Sequence, residues 1–239
     1  MKATKLALAL LAATGISAIA TPVMAYEAGD WLVRARVAHI APNDDSGKLY
    51  TDVLTPGSLM SIDKGVSTNS DTIPELDITY MITPHWGVEL ILGYSEHTVK
   101  AHKDADATAR SLGLTGSSDV IDAKVLPPTL LLQYHFAPNS NIRPYVGAGI
   151  NYTYFFDEKV PSNSLVSAAG DSIDLDSSWG LAVQAGVDVA INDDWFVNAD
   201  VKYIDIDTEA HFSGTAAGKL RINADIDPLV WSVGIGRRF

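Results

Sequence analysis

The chain has 239 residues, a formal net charge of −12 and no cysteine. An acidic chain of this size is a poor nucleic-acid binder, because the phosphate backbone repels it. Without disulfides, an exported protein needs another source of stability, such as a closed sheet. Beyond residue 25 there is no apolar run of about 18 residues, which excludes a membrane-spanning helix but not a barrel.

The first 25 residues have the features of a cleaved signal peptide. Lys2 and Lys5 supply the positive start, residues 6–20 form an apolar stretch, and Ala25 is a small residue at the expected cleavage point. We therefore expect cleavage before Tyr26 and a single domain over residues 26–239.

Eight segments of the remaining chain alternate between apolar and polar residues with a period of two, which is typical of strands. They cover residues 31–37, 75–82, 86–94, 125–136, 145–154, 179–189, 195–203 and 229–236. One face of each segment is apolar. The opposite faces carry glycines, amides and the charged residues Arg34, Arg36, Glu75, Asp77, Glu89, Asp188, Asp200 and Lys202. Charges can pair inside a lumen while an apolar face meets lipid, so we expect these charges to form structural pairs in a narrow interior.

Aromatic residues and connection lengths support a membrane barrel. Aromatic side chains recur at both ends of the predicted strands, as expected for two girdles at lipid–water boundaries. Short turns at 83–85, 137–141 and 192–194 alternate with long polar links at 41–70, 97–124, 157–177 and 208–221. The sequence thus predicts an all-β fold: an eight-stranded antiparallel transmembrane β-barrel with short periplasmic turns and long extracellular loops, in a bacterial outer membrane.

Several motifs resemble one known family. They are RPYVGAGINYTYFFD (143–157), LPPTL (126–130), GVEL (87–90), SWG (178–180), YIDIDT (203–208) and a closing DP with GIGRRF (227–239). Together they are similar to the OmpW family of outer membrane proteins, and the similarity spans nearly the whole mature chain. The resemblance implies a narrow, largely apolar upper channel and passive uptake of small hydrophobic molecules, a role shared by alkane-import relatives.

Pro127 and Pro128 lie near the outer end of the fourth predicted strand, and proline cannot donate a hydrogen bond to a sheet. One hypothesis is that they weaken the barrel wall toward the third strand and form a lateral gate for apolar solutes. The alternative is that they only end the strand, a common position for proline.

Other residues are candidates for the walls of the channel. Ile91 and Leu131 are inward apolar residues of the third and fourth strands, and packing filler is their alternative role. Lys202 is also inward, where an apolar channel would favour a large hydrophobic side chain. Four apolar residues of the first long link could build a mouth or pack among themselves: Leu54, Leu59, Met60 and Ile62.

Patterns for other chemistry are weak. His97 and His102, or Asp171, Asp174 and Asp176, lack convincing ligand spacing, so neither a metal nor a cofactor is expected. A Ser95–His97 pair is too generic to predict an enzyme.

The expected function is therefore passive uptake of small hydrophobic solutes, and the alternative is a closed structural or adhesion barrel whose loops serve as a phage or toxin receptor. Expected partners are apolar solutes, outer-membrane lipid and lipopolysaccharide. A further expected partner is the outer-membrane assembly machinery, through the terminal Phe239.

Overall fold

The computed structural model describes residues 24–42, 49–51, 60–62, 66–111, 113–168, 170–215 and 218–239. Within these ranges the chain is almost entirely β-structure. The strands are β1 (Trp31–Ala41), β2 (Leu49–Thr51), β3 (Met60–Ile62), β4 (Val66–Thr68), β5 (Asp71–Met81), β6 (Trp86–Gly93), β7 (Ser95–Ala101), β8 (Asp119–Leu126), β9 (Thr129–His135), β10 (Ile142–Lys159), β11 (Ser172–Leu175), β12 (Ser178–Ala190), β13 (Trp195–Ile204), β14 (Asp207–Thr215), β15 (Gly218–Asp225) and β16 (Leu229–Arg238). A helix, α1 (Lys103–Ser111), lies between β7 and β8. Among the described residues, no helix is long and apolar enough to cross a membrane.

Eight of these strands close into an antiparallel barrel. Their order is β12–β13–β16–β1–β5–β6–β9–β10, and β10 pairs back with β12 from Ile142 opposite Val189 to Thr153 opposite Ser178. The eight strands predicted from alternation are therefore confirmed. Closure leaves no free sheet edge, and every barrel strand has a neighbour on both sides.

The inward and outward side chains of the barrel are those that the alternation predicts. Val233 and Trp231 on β16 are exposed on the outside, whereas Arg34 and Arg36 on the neighbouring β1 are buried inside. The pleat of a strand sends successive side chains to opposite faces, so a period-two sequence sorts itself between lipid and lumen.

Aromatic side chains form contacts at both rims of the outer face. Trp31 packs on Tyr80 with ring centroids 4.9 Å apart near the short turns, and Tyr152 packs on Trp179 at 4.7 Å near the opposite end. These pairs stand where amphipathic rings meet a lipid–water boundary.

The long connections lie at the predicted positions in the chain. Most of their described residues belong to further strands. One sheet continues the barrel as β10–β8–β7–β4, and a second has the order β11–β14–β15–β2–β3. An apolar core lies between them, formed by Val66, Val120, Ile121, Ala123, Leu165, Val166, Ala210, Phe212, Leu220 and Ile222. The interior beyond the membrane barrel is thus apolar, the reverse of the lumen below it.

The orientation of the faces makes one substitution informative. Val233→Arg places a charge at the middle of β16 on the outward face, where 61% of the side chain is exposed. We expect a loss of about 2–4 kcal/mol in the free energy of unfolding measured in lipid bilayers, the usual cost of arginine at the bilayer midplane.

The matched control is Ser213→Arg, on an exposed face of β14 beyond the barrel. It should change the same free energy by less than about 0.5 kcal/mol. Equal effects of both variants would contradict the assignment of the outer face to lipid.

Candidate functional site

A layer of paired charges crosses the lumen at mid-height. The guanidinium of Arg34 lies 2.8 Å from Oδ2 of Asp188 and 3.1 Å from Oε1 of Glu89, and all three side chains are fully buried. Arg34 also donates to Oγ1 of Thr79 at 2.7 Å. Removing one partner would leave a buried charge without compensation, so these groups stabilise the lumen only as a set.

Arg36 and Lys202 complete this layer on the extracellular side of Arg34. Nε of Arg36 lies 2.9 Å from Oε1 of Glu75, and its terminal nitrogens pair with Asp77 and Asp200. Nζ of Lys202 lies 2.9 Å from the same Glu75 oxygen. Lys202 therefore belongs to the charged layer and does not stand alone in an apolar channel.

Neutral donors add hydrogen bonds to three carboxylates of the layer. Gln184 donates to Glu89 at 2.6 Å, Asn198 to Asp188 at 2.7 Å, and Ser232 to Glu75 at 3.1 Å. Each donor reaches the layer from a different strand, β12, β13 or β16. The layer consequently ties several barrel strands together across the lumen and fills it.

The N-terminal segment closes the periplasmic end of the lumen. The side chain of Tyr26 is fully buried with Leu32, Met81 and Phe196, and its hydroxyl donates to Oδ2 of Asp188 at 3.0 Å. Below the charged layer the lumen is therefore filled by protein, with the apolar cluster of Tyr26 lying beside the buried polar side chains of His135 and Arg143.

Above the charged layer the inward residues become apolar again. Ile40, Ile73, Ile91 and Leu131, from four barrel strands, are buried in one cluster at this level. Along β13, for example, the inward series runs Phe196, Asn198, Asp200, Lys202, Ile204. The lumen is thus divided into a base filled by the N-terminal segment, a charged layer and an apolar upper part.

An apolar chamber opens above this apolar cluster. It encloses about 850 Å³ between the two extracellular sheets, part of it open to solvent. Its wall includes Val125 and Phe155 from the barrel extension and Ala210 and Ile222 from the opposite sheet. A smaller space of about 350 Å³ lies beneath it and reaches Lys202. A concave site lined almost entirely by apolar side chains is typical of sites for small apolar ligands.

The segment Pro127–Pro128 interrupts the wall beside the chamber. Strand β6 pairs with β9 up to Ile91 opposite Thr129, and β7 pairs with β8 from Ser95 opposite Val125 onward. Residues 92–94 and 126–128, all of them described, have no strand pairing with each other. On the other side, the N–H of Tyr152 donates to the carbonyl of Pro128 at 3.1 Å, so the contact with β10 is kept.

The side chain of Asn151 on β10 holds the proline segment in place. Its amide nitrogen lies 3.2 Å from the carbonyl of Pro127, 3.4 Å from that of Pro128 and 2.8 Å from Oγ1 of Thr129. The interruption is consequently one-sided and faces the third barrel strand, β6.

The structure brings several of the predicted site residues together. Pro127, Ile91 and Lys202 line the same small space below the chamber, and Leu131 belongs to the apolar cluster that contains Ile91. Of the predicted mouth residues, Leu54 and Leu59 lie outside the described residues, and Met60 and Ile62 belong to β3.

Sequence reasoning missed the chamber walls contributed by the long links. Val99 on β7 and Ala210 on β14 line the chamber, yet they lie in segments predicted only as polar links. Short alternating runs, such as Val120 to Val125, were the available signal. Their many outward charges conceal that signal in any average over the link.

Polar residues considered for other chemistry have ordinary surroundings. Ser95 and His97 are hydrogen-bonded at 3.0 Å, within β7. The described residues bring another acidic group together, in which Asp205, Asp207 and Asp227 place carboxylate oxygens within 4.8 Å of one another. Desolvation and the neighbouring carboxylates raise the pKa of Asp207 above its usual range.

Comparisons with known proteins agree with this architecture. Residues 27–239 match the model of the OmpW family. Outer membrane protein W of Vibrio cholerae serotype O1 is 37% identical over 240 residues, covering 100% of both chains. The dibenzothiophene metabolism operon protein PahQ of Pseudomonas aeruginosa is 29% identical, covering 92% of this chain and 93% of its own.

A solved structure has the same fold. The crystal structure of the outer membrane protein OprG from Pseudomonas aeruginosa superposes with a TM-score of 0.76 at 35% identity, covering 91% of this chain and 99% of that one. The family match, the relatives and the closed barrel with its apolar outer face lead to one conclusion: the chain belongs to the OmpW family and is a β-barrel of the bacterial outer membrane.

Proposed function

We propose that the protein admits small hydrophobic molecules passively, through the apolar chamber and then sideways into the bilayer between β6 and the Pro127–Pro128 segment. The observation that carries this proposal is the position of an apolar chamber directly above a charged layer and beside an unpaired stretch of wall. The densely charged sugar of the outer leaflet resists apolar solutes, so an apolar entrance beyond it would speed their entry.

The charged layer argues against passage down the barrel axis. An apolar solute at the level of Arg34 and Arg36 would have to separate buried ion pairs that have no water to solvate them. The side route instead leads from one apolar medium to another. A closed structural barrel would be expected to have every wall pairing made, and the interruption at residues 92–94 and 126–128 favours transport over that alternative.

One relative's name fits this class of solute. PahQ is named for a dibenzothiophene metabolism operon, and dibenzothiophene is an apolar aromatic compound. We extend only the general character, small and hydrophobic, to the solute of this chain.

The two ends of the chain bear on export and assembly of the protein. We propose that residues 1–25 are removed and that Phe239, whose ring is 63% exposed, is recognised by the assembly machinery. The carbonyls of Met24 and Ala25 accept hydrogen bonds from Arg143 and Arg238, and cleavage would remove both acceptors.

Replacing both prolines tests the lateral exit. In Pro127→Ala with Pro128→Ala, restored N–H donors can pair with residues 92–94 and close the wall. We expect uptake of a small alkane or arene into proteoliposomes to fall about tenfold. Pro138→Ala, in a turn at the other end of the barrel, is the matched control and should transport normally. Unchanged uptake by a folded double variant would refute the gate.

Opening the charged layer tests the route. Arg34→Ala with Glu89→Gln and Asp188→Asn removes the cation together with both of its carboxylate partners, so no unpaired charge of this group remains. We expect ion conductance in planar bilayers to rise severalfold above that of the unmodified protein, because water can enter the cleared lumen. Uptake of the apolar solute should stay unchanged, because its path leaves the barrel above this level.

The control for this test is Arg237→Ala on the exposed face of β16, which should alter neither quantity. Apolar uptake that increases in parallel with conductance would show that the solute moves along the axis, contrary to the proposal.

A further inference from the structure

Three hydroxyl groups on the chamber wall have their protons committed to other protein groups. The chamber is lined almost entirely by apolar side chains, with Ser95, Thr153 and Thr208 among its few polar contributors. Half-buried Thr68 and His97 are the other polar residues of the lining. A serine or threonine hydroxyl has one proton to donate and two lone pairs that accept. The partners of these hydroxyls therefore determine what the wall offers a ligand.

The proton of Ser95 is directed to His97. Nδ1 of His97 lies 3.2 Å from the carbonyl oxygen of Asn69, which can only accept, so Nδ1 carries the imidazole proton. Burial lowers the pKa of His97 and keeps the ring neutral. Nε2 is then an acceptor, and the Ser95 hydroxyl donates to it across 3.0 Å.

The proton of Thr153 is directed to Asn151. Oγ1 of Thr153 donates to Oδ1 of Asn151 at 2.6 Å. The amide orientation of Asn151 follows from its other contacts, because its nitrogen faces the carbonyls of Pro127 and Pro128 and can only donate to them. Asn151 therefore presents its oxygen, and not its nitrogen, to Thr153.

The proton of Thr208 is directed to the backbone. Its Oγ1 donates to the carbonyl oxygen of Asp176 at 2.7 Å. All three hydroxyls consequently keep only lone pairs, and no proton, available to a ligand. Ser95 and Thr153 lie on β7 and β10, the strands that pair with β8 on either side. Two acceptors thus flank the segment that leads to Pro127.

We propose that the chamber selects small apolar compounds that carry a hydroxyl donor, such as alcohols and phenols, over ketones and ethers of the same shape. This substrate class rests on the proposed uptake function. An alcohol can donate to the lone pairs of Ser95, Thr153 or Thr208. A ketone leaves its desolvated carbonyl without a donor from these three groups, which weakens its binding.

A binding competition with two nearly identical compounds tests this preference. The folded protein in nanodiscs is loaded with an apolar fluorescent probe, N-phenyl-1-naphthylamine, and titrated with 4-methylcyclohexanol or 4-methylcyclohexanone. After correction for water–octanol partition, we expect the alcohol to displace the probe about five- to tenfold more strongly, as one hydrogen bond predicts. In Ser95→Ala with Thr153→Val and Thr208→Val, which removes all three acceptors, the two compounds should become equal.

Two controls separate this preference from the uptake function and from misfolding. Ser213→Ala, on the exposed face of β14, should keep the full preference. Thr208→Val leaves the wall of the barrel untouched and should reduce the preference on its own, so a poorly folded triple variant does not end the test.

Each result has a defined meaning. Equal displacement by both compounds in the unmodified protein, or a preference that persists in the folded hydroxyl-free variants, would overturn the selectivity and leave the uptake proposal intact. Failure of the probe and both compounds to bind would instead count against the chamber as a solute site.

Discussion

The buried charge layer is the constraint on which the rest of the structure depends. Arg34, Arg36 and Lys202 stand inside a barrel too narrow for bulk water, and carboxylates from neighbouring strands surround them. Ions buried in this way persist only when all partners are present, because separation exposes each charge to a medium of low dielectric constant. The layer therefore fixes the lumen as a barrier and leaves the space above it as the region that a solute can enter.

The polarity of the chain reverses once along the barrel axis. Within the membrane segment, polar groups occupy the middle of the lumen and Val233 and its neighbours face outward. Beyond it, Phe212 and Ile222 lie in an apolar interior, and charged residues such as Lys100 and Asp119 face solvent. The same physical preference explains both parts, because apolar side chains are buried away from water in the lipid or in the protein interior. The reversal places an apolar interior directly beside an apolar bilayer at the level of Pro127, and lateral exit is the simplest use of that arrangement.

The alternation of apolar and polar residues predicted those features that depend on a single strand and its surroundings. Arg34 inside and Val233 outside follow from a period of two and the need to pair charges, so the barrel and its outer face could be predicted. The proline pair also predicted a break in the strand pairing, because the effect of a missing N–H group is local. The hypothesis placed the break toward the third strand, but the contacts that keep the opposite side closed lie outside the proline motif: they are made by Asn151 and by the register of β10 against both β8 and β9. The chamber walls contributed by the long links could not be predicted for a similar reason. Val99 and Ala210 lie on two different sheets, which come together only after distant links have folded.

The most direct test of the account is to map where an apolar solute travels inside the barrel. A diazirine-bearing alkane, equilibrated with the protein in bilayers and then photolysed, labels the side chains it contacts, and mass spectrometry locates them. Lipid-facing residues will react with probe dissolved in the membrane, so the inward residues decide the outcome. The account predicts labels on Ile91, Pro127 and Phe155 and none on Leu32, Met81 or Phe196. Labelling of those three residues below the charged layer would contradict it.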